Sequence, residues 1–405
     1  MANRNHGQTS YRQTSYRQTS YRQTSYRGKW ILTPDFSLLA DAYLVCADNK
    51  IQQVTRNRPD GKILEHDGLI LPGLVNAHSH LEFSDLDRPL GDPGEPFVSW
   101  IGKVIGHRNS RNPDLVFDAI ESGLNESTEA GVAAIGEIST FDWHGRVQSE
   151  TAILDFREII GFRKEQHDEI SNQVHTFEKT RNSQDDWQLG VSPHAPYSIN
   201  RDSLEFAVNW SNRQQAPLAM HLAESTEELE LLAEHRGPFF DLLNRLGLWT
   251  DANFKKGTRP LHFLRLLANA HRSLVIHGNY LDSEELNYVA ANQSKLRLVY
   301  CPRTHAFFRH REYPLQDIVR LGIPLSLGTD SRASNPDLSL WNEMTFVHDV
   351  HSIPPLEILK MGTIHGAVSL GLENLLGTLE PGKRASVFLA PGVESEFVRE
   401  IVGGD

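Results

Sequence analysis

The sequence predicts an α/β chain built on a (β/α)8 barrel, with a small β-sandwich contributed by its two ends. Three observations predict it. Through the middle of the 405 residues, apolar strand-like runs alternate with helix-length amphipathic segments, the signature of repeated βα units around a parallel sheet. Eight runs can be counted: GLVNAHSH, GVAAIGEIS, AILDFREIIG, LGVSPHAPYS, LAMHLAES, SLVIHGN, LRLVYCPRTH and IPLSLGTDS. Polar residues gather at the carboxyl ends of most of these runs, where a barrel of this kind places its site. A doubly wound sheet is the structural competitor.

The elements follow in chain order. Residues 8–27 are four identical copies of QTSYR, a low-complexity tract without an aliphatic residue and so with nothing to bury. Residues 1–27 therefore read as a disordered tail, or as a misplaced gene start; the alternating Tyr and Arg also suit RNA or an acidic partner. From Lys29 to Leu71 the runs KWILTP, AYLVCADNKIQQV and LILPG are short and strand-like, with turn residues at Asp48-Asn49 and Asp60-Gly61. The distal LGTLEPGKRASVFLAPG has the same character. Residues 28–72 and 375–405 are thus expected to meet in one composite β-sandwich, flanking a barrel over 73–374. Within the barrel, residues 227–260 are longer than a routine βα connection and are expected to form a lid that confers specificity.

Composition narrows the function classes. Hydrophobic residues make up 39% and charged residues 23% of the chain, enough to bury a substantial core. No window approaches a membrane span and the N-terminus lacks the apolar core of a signal peptide, so a cytoplasmic protein without a membrane partner is expected. Cys46 and Cys301 stand far apart without a CxxC partner, which supports neither a disulfide framework nor a cysteine metal cage. Formal charge is −12; five arginines lie in residues 1–27, and the rest holds 35 basic against 52 acidic residues. Such a body should repel nucleic acid.

The strand ends carry the chemistry. His78 and His80 close the first run, and their i, i+2 spacing puts both imidazoles on one strand face, where they can reach one ion. Among 19 histidines an HxH pair also arises by chance, as two structural histidines. The fifth run ends in HLAES, with His221 and, three residues on, Glu224, a ligand and a proton shuttle that can face one pocket. The plainer explanation, a helix start capped by Ser225 with Glu224, Glu227 and Glu228 as first-turn acids, accounts for Glu224 and leaves His221 unexplained. The sixth run places His277 before a glycine, and the eighth places Asp330 after an apolar stretch, where a buried carboxylate is costly unless paired or metal-bound. A helix cap or turn would account for Asp330 equally simply. Jointly, HxH, then His with Glu, then His, then Asp on successive strand tips is hard to produce by chance.

In this order PGLVNAHSH, SPHAPYS, HLAES, VIHG, CPRTH and GTDS, with LGTLEPGK near the end, resemble the amidohydrolase superfamily, specifically its mononuclear-metal aminohydrolase branch of deaminases and triazine hydrolases. The similarity runs from about residue 29 to the end. The resemblance implies one divalent ion, zinc or iron, on His78, His80, His221 and Asp330, with Glu224 and His277 as the catalytic acid/base pair. His194 of SPHAPYS matches a position that faces substrate in nucleoside-type members, though a strand-end histidine bonded to backbone would look the same. HSHLEFS, HLAESTEE, GPFFDLLNRLG and CPRTHAFFRH look most like aminofutalosine deaminases. Glu82, Arg303 and His305 are placed to contact substrate, or to be surface residues of their loops. Thr304-His305 stands where much of the branch has Ser-Asn, a departure that bears on substrate choice; Ala385-Ser386 replaces Ala-Asp in the terminal sheet, and TIHGA replaces the commoner Thr-x-Asn-Gly-Ala.

The implied reaction is hydrolytic deamination of an aminated purine nucleoside or related heterocycle, by attack of metal-bound hydroxide with release of ammonia. Asp330 accepts the water's proton, Glu224 protonates the adjacent ring nitrogen and His277 orients the nucleophile. The alternative keeps fold and metal but changes the leaving group, giving a hydrolase of a cyclic amide or a halogenated triazine. A catalytically silent binding protein on the same scaffold is the third reading, disfavoured because every catalytic residue type is present. Barrels of this family often pair, so a homodimer fits the resemblance, although no stretch identifies an interface.

Overall fold

The computed structural model describes residues 23–143, 147, 149–179, 187–391 and 395–403. Four strands open the described chain: β1 (Thr24–Leu32), β2 (Leu38–Ala47), β3 (Lys50–Thr55) and β4 (Lys62–Pro72). Eight more follow as β5 (Leu74–Ser79), β6 (Val132–Ser139), β7 (Ala152–Ile159), β8 (Trp187–Pro193), β9 (Leu218–Leu222), β10 (Ser273–His277), β11 (Leu296–Tyr300) and β12 (Leu325–Leu327). These are the eight expected runs. They form one parallel sheet in sequence order, with helices between most successive strands. The Ser79–Asp330 bridge brings its last strand back to its first, so the barrel is nearly closed.

The terminal segments also meet. β13 (Val387–Leu389) pairs antiparallel with β4, giving one mixed sheet in the order β13-β4-β1-β2-β3. Just before β13, Arg384 bridges Lys50 at the start of β3, and the Ile51 amide donates to the Lys383 carbonyl at 2.9 Å. The C-terminal segment therefore touches both edges of the sheet, which curls around a core of Ile31, Leu44, Cys46, Ile51, Ile70 and Leu379. That burial is what the short alternating runs at both ends encode.

One boundary moves. Thr24–Arg27, most of the fourth QTSYR copy, belongs to β1, where Thr24 to Arg27 pair with Cys46 to Tyr43 on one side and with Lys62 to Glu65 on the other. The repeat lacks aliphatic side chains, but two strand edges supply its backbone with partners, Ser25 is fully buried and Arg27 meets Glu65 at 2.9 Å. The earlier copies, and the rest of the tail expected to be disordered, lie outside the described residues. Both cysteines are buried and free, as expected. Among the described residues no helix is long and apolar enough to cross a membrane.

Candidate metal centre and its surroundings

The carboxyl end of the barrel gathers the residues singled out above. His78, His221 and His277 form one group whose ligand atoms all lie within 4.8 Å of one another; His78, His80 and Asp330 form a second; Glu224, His277 and Asp330 form a third. His78 Nε2 and His80 Nε2 each lie 3.8 Å from Asp330 Oδ1, and His80 Nε2 lies 3.3 Å from His221 Nε2. All six residues are buried.

Local backbone explains how chain segments so far apart converge. The Thr329 and Asp330 amides both donate to the His78 carbonyl at 3.1 Å, while Asn76 donates to Thr329 Oγ1 at 2.8 Å and accepts from the Thr329 amide at 3.1 Å. These bonds stitch the tip of β12 to β5. Glycine is required at position 328, because a Cβ there would come within 2.8 Å of the His78 Cβ. His221 is aimed from behind, with Nδ1 3.0 Å from the His194 carbonyl, which fixes the tautomer that leaves Nε2 facing the cluster. Ala223, His277 and Asp330 have φ of 54°, 68° and 57°, left-handed values uncommon without glycine. Each costs on the order of 1–3 kcal/mol, and such strain concentrates where side chains must be presented to a site. Tyr313 OH donates to the His277 carbonyl at 3.0 Å and holds that turn.

The donor set fits a cation. Both ring nitrogens of His78, and Nδ1 of His80, are buried with no hydrogen-bond partner among the described residues, which is expensive for imidazoles unless an ion uses the lone pairs. Burial first, and neighbouring imidazoles second, holds His78 and His80 well below the usual histidine range and His221 down at about 3, so all three are neutral, the ligating form. Burial pushes Asp330 up to about 7, the direction that a nearby divalent charge reverses. His277 Nε2 lies 3.3 Å from Glu224 Oε1, and burial, then the Asp330 carboxylate, lifts Glu224 well above the carboxylate range.

Glu224 has a role in both explanations the sequence allowed. Ser225 does cap the following helix, its Oγ accepting from the Glu228 amide at 3.2 Å, and buried Glu228 reaches back to accept from the Ala223 and Glu224 amides at 2.9 and 3.0 Å. The cap is the device that frees the Glu224 side chain to point at His277.

The residues expected at the substrate divide. His194 sits beside the cluster, its ring centroid 4.9 Å from that of His221, with Nδ1 2.7 Å from Ser198 Oγ. His305 is buried edge-on to Tyr313 on the His277 side, and its Nε2 has no partner among the described residues. Arg303 is engaged by the protein. Its Nε donates to Glu343 at 2.7 Å, its Nη1 to Asp337 at 2.9 Å and its Nη2 to Asp337 at 2.6 Å, so the guanidinium is tied to these two carboxylates. Glu82 is likewise engaged, accepting from Arg108 at 2.8 Å and from Arg111 at 2.7 Å.

Arg108 and Arg111 gave no signal in sequence, since they belong to a distant helical segment without a motif. Glu137 could have been found: it lies within the fully buried strand β6, and its carboxylate accepts from the Leu81 amide at 2.8 Å, anchoring the turn after His80. The segment 227–260 places Leu231, Phe239 and Leu243 in an aromatic cluster with Phe83, Phe97, Trp100, Tyr197 and Phe308, next to the loop that follows His80. Phe239 stacks on Tyr197 at 4.1 Å, three residues beyond His194.

Residues 69–399 match the Amidohydrolase family. A protein named aminodeoxyfutalosine deaminase from Nitratiruptor sp. is 27% identical over 384 residues, covering 89% of each chain. The crystal structure of Helicobacter pylori aminofutalosine deaminase in complex with methylthio-coformycin superposes with a TM-score of 0.78 at 22% identity, covering 94% of this chain and 95% of the other. A variant of atrazine chlorohydrolase from Arthrobacter aurescens, complexed with zinc and atraton, gives 0.77 at 17% identity over 94% and 91%. At those identities the two solved structures speak for the fold alone.

Proposed function

This chain belongs to the amidohydrolase family, and from that premise we propose that it is a metal-dependent hydrolytic deaminase of an aminated purine nucleoside or related heterocycle. The observation that carries the reading is a buried acid beside a four-ligand cluster: Glu224 lies 3.3 Å from His277, and His277 shares one close group with His78 and His221. His78, His80, His221 and Asp330 would hold one divalent ion, zinc or iron, which when bound supplies a water acidified from a pKa of 15.7 toward about 7.

The chain's own residues do the rest. Asp330 takes up the proton of the attacking water, from a position it shares with both His78 and His80. Glu224, kept protonated by burial, delivers its proton to the ring nitrogen next to the attacked carbon, so that negative charge does not accumulate there. His277, fixed by Tyr313 and by its left-handed backbone, orients the nucleophile. The exocyclic amino group then takes the proton held by Asp330 and leaves as ammonia, while the remaining hydroxyl proton returns to Glu224 and the ring carbon becomes a carbonyl.

The relative named aminodeoxyfutalosine deaminase supports an amino leaving group on a nucleoside. The zinc-bound atrazine chlorohydrolase neighbour keeps a second reading in view, the same site expelling chloride from a triazine. Ammonia release across aminopurine nucleosides, with chloride release from halogenated triazines alongside, separates the two. Glu224→Gln should lower ammonia release by roughly 10²- to 10⁴-fold, the usual contribution of a general acid, with the metal retained. Undiminished turnover in that variant would remove Glu224 from the reaction.

A further inference from the structure

Glu158 lies at the carboxyl end of β7 and has no part in the chemistry above. It shares a strand face with Leu154 and Phe156, which pack with Ala219, Leu274, Ile276 and Val299 of β9, β10 and β11. Its side chain is 1% exposed, and neither carboxylate oxygen has a hydrogen-bond partner among the described residues. Two groups flank it just beyond hydrogen-bond reach: Arg108 Nη1 is 3.7 Å from Oε2, and His194 Nε2 is 3.8 Å from Oε1. Arg108 is turned aside because its Nη2 already serves Glu82, and its own Nε is buried without a partner. His194 in turn stands against the metal ligand His221.

This arrangement selects one kind of ligand group. A carboxylate only accepts hydrogen bonds and a guanidinium only donates them. An anionic substituent would be repelled by Glu158 and a cationic one by Arg108. A hydroxyl both donates and accepts, so it satisfies the two at once. A buried carboxylate left without donors is costly, and the neighbouring protein groups do not reach it.

We propose that Glu158 is a substrate-contacting residue that seats the sugar of a nucleoside by accepting a hydrogen bond from one of its hydroxyls, with Arg108 Nε as the donor opposite. The proposal rests on the nucleoside reading given above. It assigns to β7 the recognition of the sugar and leaves to the four metal ligands and Glu224 the attack on the base.

The test compares the wild-type metal-loaded enzyme with Glu158→Gln and Glu158→Ala on adenosine and 5′-methylthioadenosine and on the 2′-deoxy and 3′-deoxy counterpart of each. In the wild type, loss of the contacted hydroxyl should lower kcat/KM by roughly 10- to 100-fold, the range for a hydrogen bond to a charged group. Glu158→Gln should lose a similar factor on the ribonucleoside, chiefly through KM, and its ratio of ribonucleoside to deoxynucleoside activity should collapse toward one. An unchanged ratio in Glu158→Gln, with all substrates slowed equally, would show a merely structural carboxylate and overturn the proposal. Wild-type enzyme that releases ammonia from free bases but from no nucleoside would overturn the proposal together with the nucleoside reading. Should Glu158→Ala fail to fold, the near-isosteric Gln variant still gives the ratio.

Discussion

Replacing Arg303 by methionine should destabilise the protein and leave substrate binding nearly intact. The guanidinium is 13% exposed and links Glu343, which is fully buried, to Asp337, which is one-third exposed. Removing one partner of a buried pair costs about 3–5 kcal/mol, because the other charge is left behind. Here the low end applies, for two reasons. Glu343 keeps the Arg303 amide at 2.9 Å and Asn335 Nδ2 at 2.6 Å, and burial already lifts its carboxyl above the ordinary range, so without the guanidinium it takes up a proton. The exposed Asp337 bond adds at most about 1 kcal/mol. The expected loss of about 3 kcal/mol should lower the thermal midpoint by about 3–4 °C in a chain of 405 residues.

Acid dependence gives a second readout of the same variant. Burial pushes the Asp337 carboxyl up, but the Arg303 guanidinium outweighs it and holds Asp337 below the usual carboxylate range. A folded pKa below the unfolded one means that this contribution is present above the unfolded value, and is lost as pH falls through the folded value. The gap between wild type and Arg303→Met should therefore narrow on acidification through that value. Thermal unfolding measured from pH 7 downward, with KM for ammonia release at pH 7, decides the matter. An unchanged midpoint together with a tenfold rise in KM would show that Arg303 reaches substrate after all.

Two further outcomes follow from the site and its surroundings. Stripping the metal with a chelator should lower the thermal midpoint, since an ion that binds only the folded state at a hundred times its Kd stabilises by about 2.7 kcal/mol; an unchanged midpoint after complete removal would show that the four ligands are held by packing alone. Exchanging residues 227–260 for the corresponding segment of a relative with another substrate should change the ranking of nucleosides in an ammonia-release panel. That segment supplies Phe239 and Leu243 to the aromatic cluster beside the site, and an unaltered ranking would confine specificity to the barrel strands.

How much of this was legible in the sequence depended on the range of the interaction. The eight barrel strands were readable because each carries a largely apolar run, and the gathering of the six candidate residues because strand-end placement needs no knowledge of the partner. Strand β1 extended into the QTSYR repeat because pairing partners on both sides, not apolar side chains, hold that stretch, and a composition argument is blind to backbone pairing. The pairing of Arg303 was hidden for a related reason. A motif puts the residue at a strand tip, but Asp337 and Glu343, which take its hydrogen bonds, lie over 30 residues away in sequence and could not be matched to it. Glu158 and Arg108 come together from β7 and from the helix Phe97–Ser110, and no spacing rule joins them. Glu158 was nevertheless visible as an acid inside the apolar run AILDFREIIG, and a buried strand-end acid is a signal in its own right.

The proposed chemistry requires three imidazoles and one carboxylate to share a single ion, and elemental analysis of the purified chain tests that most directly. Wild-type protein should carry close to one zinc or iron per chain, and His78→Ala combined with His80→Ala should carry almost none while remaining folded by circular dichroism. A folded wild type that takes up no divalent metal, or a double variant that keeps the full complement, would contradict it.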